Sequence, residues 1–127
     1  MYQDVARGNA GDAIDLPIYT STAPNWQDII VLPFAKNPGE SFIDLVFEAC
    51  FTTEPDADIG IRLVVHTNIE EFLFPLDIIS PEWLYWKISV TIQNLSLDEI
   101  YYCKVQLKNE AYAAGTLKVR KVILSTR

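Results

Sequence analysis

Histidine is nearly absent from this 127-residue chain: His66 is the only one. Nucleophilic catalysis by Ser–His–Asp or Cys–His needs a histidine in a supporting context, and His66 stands in a strand-like segment beside Arg62 without one. Cysteine is scarce too. Cys50 and Cys103 are too few for a disulfide framework or a zinc site. No glycine-rich phosphate loop occurs. The apolar runs are broken by polar residues well short of a membrane span. The opening MYQDVARGNAGDAIDLP lacks the charged start and apolar core of a secretory signal, so none is expected. Cations are in the minority: 10 Lys and Arg against 17 Asp and Glu give a net charge of −7. That excludes a protein that coats nucleic acid, because neutralising phosphates takes clustered Lys and Arg. The pairs Glu70–Glu71 and Asp98–Glu99 read as solvated charges at strand ends. The loop Glu54–Asp58 (EPDAD) lacks EF-hand spacing and reads as an acidic turn. No catalytic set, metal or cofactor is expected.

What the chain has is alternation. Half its residues are hydrophobic, enough to exclude global disorder. One domain of this size buries a core without disulfides or metal. Asp28–Phe34 is a short apolar run ended by the turn Lys36–Gly39. Phe42–Thr53 places Ile43, Leu45, Phe47, Ala49 and Phe51 on one face, with Asp44, Glu48 and Cys50 on the other. Ile59–Thr67 turns Ile61, Leu63 and Val65 inward, and Arg62 and His66 outward. Phe72–Ile79 reads as a further strand. Trp83–Leu95 is the longest, with Leu84, Trp86, Ile88, Val90 and Ile92 inward. Ile100–Asn109 alternates through Tyr101, Cys103, Val105 and Leu107, after a short helical turn expected within Leu95–Tyr101. Cys50 and Cys103 differ in phase, so two free thiols are expected. In Gly115–Ser125 the apolar set Leu117, Val119 resumes at Val122, Leu124. One inserted residue predicts a β-bulge at Arg120 and Lys121. Seven or eight such strands predict an all-β fold, an antiparallel jelly-roll-like sandwich, over residues 28–127.

The cadence of Trp83–Leu124 carries a resemblance. A strand opening at Trp83 leads to Asn94 and Leu95. Tyr101 begins a strand ending near Asn109. Gly115 then precedes the bulged strand. This resembles the jelly-roll carbohydrate-binding modules and the wider galactose-binding-like sandwiches, and it implies a sandwich fold with a sugar-binding surface as one role. Those modules often carry acidic residues at the final bend, where this chain has Arg120 and Lys121. In size, arm and want of catalytic residues the chain is also similar to small phage capsid decoration (cement) proteins. That resemblance implies a structural role on a virion.

Residues 1–27 read as an extended N-terminal arm. Pro17 restricts any strand there to a sheet edge, formed by Ile14, Leu16, Ile18 and Tyr19. With Val5, these are spaced apolar anchors suited to the sheet edge of a neighbour. Trp26 sits at the junction of arm and domain. Trp83 and Tyr85 share the outward face of the long strand, where aromatic rings stack on sugars or anchor protein interfaces. The expected function is a non-enzymatic structural or interaction protein of the virion decoration class. Its partners would be further copies of itself, a homotrimer being one arrangement, and a larger assembly such as a capsid shell. The alternative is a carbohydrate-binding module using the surface aromatics.

Overall fold

The computed structural model describes residues 2–4, 18–21, 24–51, 59–73, 82–109 and 117–127. The strands are β1 (Tyr2–Asp4), β2 (Ile18–Ser21), β3 (Gln27–Ala35), β4 (Phe42–Phe51), β5 (Ile59–Val65), β6 (Asn68–Leu73), β7 (Leu84–Thr91), β8 (Ile100–Asn109) and β9 (Leu117–Thr126). The first sheet has the order β1-β9-β4-β7, with β2 also on β9; the second is β3-β8-β5-β6. Every pairing is antiparallel. From β2 to β5 the chain changes sheet at each step, and it does so again from β6 to β9. The resulting orders, β2-β9-β4-β7 facing β3-β8-β5-β6, are those of a jelly roll.

The alternating apolar sets meet between the sheets. Ile43, Leu45 and Phe47 of β4, with Leu117, Val119, Val122 and Leu124 of β9, pack with Ile61, Leu63 and Val65 of β5 and with Cys103, Val105 and Leu107 of β8; all are buried. The bulge lies where the broken phase put it. Val46 pairs with Ile123 and Glu48 with Arg120, so Phe47 alone faces Lys121 and Val122. Lys121 takes φ 54°, the left-handed conformation that absorbs the extra residue. A second bulge, between Asp28 and Ile30, has no comparable mark in the sequence.

Several sequence expectations need correction. Strand β6 starts at Asn68, and its hairpin with β5 turns at His66 and Thr67, so His66 is a turn residue with φ 57° and not a strand residue. Glu70 and Glu71 therefore lie within a strand. Residues 74–80, and the loop Glu54–Asp58, lie outside the described residues. Strand β7 is shorter than expected, and residues 93–99 form turns without a helix. Trp86 is partly buried, against Phe72 with ring centroids 4.7 Å apart, because among the described residues β7 has a strand neighbour on one side only. Cys50 is buried although it faces away from the core, and both cysteines are free thiols.

Two strands fall inside the segment read as an arm. Strand β2 pairs with Leu117–Arg120 and β1 with Ile123–Ser125, both on β9 of the same chain. For Ile18 and Tyr19, the sheet edge expected on a neighbour is supplied by β9 of the same chain. Asn109 Nδ2 donates to the Ser21 carbonyl at 3.4 Å, tying the end of β8 to β2. The free edges of the second sheet are blunted. Strand β3 carries Pro33, which has no N–H to offer, and β6 directs Glu70 toward the inner face opposite Leu63.

Candidate functional site

The two outer faces differ in chemistry. The outer face of the first sheet is ionic. Glu48 Oε1 receives Arg120 Nε at 2.9 Å and Lys121 Nζ at 3.3 Å, so the bulge brings two consecutive cations to one carboxylate. Asp44 receives the Ser89 hydroxyl at 2.5 Å, Arg127 Nε at 2.8 Å and Lys87 Nζ at 3.8 Å. Burial alone would raise both carboxyl pKa values. The hydrogen bonds and cations just named outweigh it and hold both below their ordinary range. Folded-state values below the unfolded ones contribute stability above about pH 5, which is lost as pH falls through the folded values. Thermal melts of the wild type should therefore weaken steeply on acidification. Asp44→Asn should flatten that dependence while lowering the neutral-pH melting point.

The aromatic candidates are divided between the two sheets. Trp83 lies on the first sheet's outer side with the Arg120 guanidinium 4.0 Å from its ring centroid. Trp26 lies on the second sheet's outer side with the Arg62 guanidinium at 4.5 Å and Lys108 Nζ at 5.7 Å. Each tryptophan spends ring surface on cations of its own chain, a contact of about 0.5–2 kcal/mol. Tyr85 stands open at 67 % exposure. Tyr19 packs against the core, where burial raises its pKa, and Ile18 is exposed beside Arg120. Val5, Ile14 and Leu16 lie outside the described residues. Three of the described candidates do come together: Tyr85, Glu48, Arg120 and Ile18 follow one another in register on the outer face of the first sheet, and Trp83 stacks on Arg120, whereas Trp26 lies on the second sheet and Tyr19 packs against the core.

The outer face of the second sheet begins with a polar row. Asp28, Gln106, Arg62 and Glu71 follow one another in register across all four strands. They form a continuous chain: Gln106 Nε2 donates to Asp28 at 2.6 Å, Arg62 Nε to Gln106 Oε1 at 2.5 Å, and Arg62 Nη1 to Glu71 at 3.4 Å. The next row is Val31, Lys104, Val64 and Ile69. Beyond it Pro33 pairs with Tyr102 and Ala35 with Ile100. Apart from Lys104 these rows are apolar and open: Val31 is 46 %, Ile69 49 %, Tyr102 60 % and Ile100 72 % exposed. A hollow of about 260 Å³ lies among Val64, His66, Ile100, Tyr101, Tyr102 and Lys104. Its wall is fixed by the tilted contact of His66 and Tyr101 at 5.2 Å and by the Ser96 N–H donating to Tyr101 Oη at 2.9 Å.

Sequence reasoning missed this face. The signal was there in Asp28–Phe34, whose unbroken apolar run leaves Val31 and Pro33 on the outer side while Ile30 and Phe34 face the core.

Burial pushes the Cys103 thiol up to about 12 and raises that of Cys50, so neither supplies a thiolate near neutrality. Among the described residues no group of three or more His, Cys, Asp or Glu could hold a metal ion, and no helix is long and apolar enough to cross a membrane. No protein-family model matches the chain, and no curated protein does.

Proposed function

We propose that the chain is a non-enzymatic structural subunit, of the virion decoration or cement class, whose contact surface is the open outer face of the β3-β8-β5-β6 sheet. The observation that carries this role is the set of exposed apolar side chains Val31, Ile69, Ile100 and Tyr102 on one sheet face, joined through Pro33 and Val64 around Lys104. Contiguous apolar surface of this kind marks an interaction site, whereas scattered exposed apolar residues do not. Lys104 sits among these residues without an ion pair among the described residues. The fitting partner is a protein surface of apolar side chains with a carboxylate opposite Lys104. The polar row Asp28–Gln106–Arg62–Glu71 bounds the patch on one side, as a polar rim bounds an interface.

The test is recovery of the chain in its native assembly. Ile100→Asp and Tyr102→Ala should leave the melting point nearly unchanged, since both side chains face solvent, and should strongly reduce incorporation. A sugar-binding module would behave differently. Its assembly state would be indifferent to both changes, and glycan-array binding would be lost on Trp83→Ala or Tyr85→Ala. That second pattern would overturn the assembly role.

A further inference from the structure

Strand β8 and the turn before it carry a self-complementary pattern. Asp98 and Glu99 precede Ile100 and are exposed. Neither makes an ion pair among the described residues. Ile100 and Tyr102 project outward as the two most open apolar side chains of this face. Lys104 follows on the same outer face, roughly 13 Å from Ile100 at the usual strand rise. Read outward from Tyr101, the segment is apolar on both sides, then acidic on one and basic on the other.

We infer that the first occupant of this face is a second copy of the chain, docked about a two-fold axis that passes near Tyr101. The inference rests on the contact surface proposed above. A two-fold interface is isologous: if residue i meets residue j of the partner, j meets i. Antiparallel juxtaposition of two β8 segments about this axis satisfies that requirement. Ile100 of each copy meets Tyr102 of the other, and Asp98 and Glu99 of each face Lys104 of the other. The arrangement supplies at once the apolar cover and the carboxylate that Lys104 lacks. It also disfavours the other simple stacking, with the axis at Lys104, which would bring two ammonium groups together. Edge-to-edge growth is not required, and the blunted edges at Pro33 and Glu70 do not invite it.

Sedimentation equilibrium of the purified chain tests this. The wild type should show a concentration-dependent monomer–dimer equilibrium. Lys104→Glu should weaken it about tenfold or more, since both symmetric contacts turn repulsive. Asp98→Lys/Glu99→Lys should weaken it similarly. Ile100→Asp should weaken it about a hundredfold, because the central apolar contact is lost twice. The decisive sample is a mixture of Lys104→Glu with Asp98→Lys/Glu99→Lys. Each is repulsive alone, yet together they are complementary at both contacts, so a 1:1 heterodimer should form. Unchanged thermal melts establish that each variant is folded. A monomeric wild type up to millimolar concentration overturns the inference, as does a dimer indifferent to Lys104→Glu or a mixture that stays monomeric. A monomer whose incorporation into the native assembly still falls with Ile100→Asp overturns only the two-fold pair and leaves the contact surface standing. If incorporation is also indifferent, both are overturned.

Discussion

Phe47→Ala is expected to destabilise the fold by about 3–5 kcal/mol, the range for truncating a large buried aromatic side chain. Phe47 is 1 % exposed on β4, between β7 and β9. It is also the single residue that faces Lys121 and Val122 across the bulge. The cavity would open where β9 bends, and a strand already held in a left-handed conformation at Lys121 has little freedom to collapse into it. Chemical denaturation should show a lower midpoint. A cost under about 1 kcal/mol would mean that the bulge region can repack, contrary to the rigid register described here.

Gly60→Val is expected to cost about 3 kcal/mol, the upper part of the range for forced overpacking. Gly60 lies in β5 opposite Leu73 of β6 and Lys108 of β8. A Cβ there would stand 2.5 Å from the Phe72 carbonyl oxygen, 2.8 Å from Leu73 Cδ2 and 3.3 Å from Leu73 Cα. Two of those atoms are backbone, so relief requires β6 to move away from β5. Strand β6 carries Phe72, which stacks on Trp86, so the change should also be read there as altered tryptophan fluorescence. Gly60→Ala should show the same effect in smaller degree. Neutral behaviour of both variants would place β6 differently from the register found.

Much of the sandwich was legible because the signals were local. Ile100–Asn109 alternates without interruption, and its phase put Cys103, Val105 and Leu107 in the core, where they are buried. The phase slip between Val119 and Val122 marked the bulge because one inserted residue changes the face of every residue after it. Where an edge strand relaxes the period, the signal fades. Strand β6 directs Glu70 toward the inner face, so its residues do not alternate and the hairpin at His66 was hidden. Trp86 alternates correctly but is only partly buried, because the sequence does not say which strand will be an edge. The partners of Trp26 and Trp83 were illegible for another reason. Arg62, Lys108 and Arg120 reach them from strands distant in sequence, and only the sheet order brings them together. The apolar outer face of the second sheet is likewise a product of register across β3, β8, β5 and β6.

Two tyrosines of similar openness report on which outer face is used. Tyr102 is 60 % exposed on the second sheet and Tyr85 67 % exposed on the first. Hydroxyl-radical footprinting of the dilute chain and of the same chain in its assembled form compares them in one experiment. The predicted result is near-equal modification in the dilute chain, then strong protection of Tyr102 on assembly with Tyr85 still reactive. Protection of Tyr85, with Tyr102 as reactive as in the dilute chain, would contradict the assignment of the β3-β8-β5-β6 face as the contact surface.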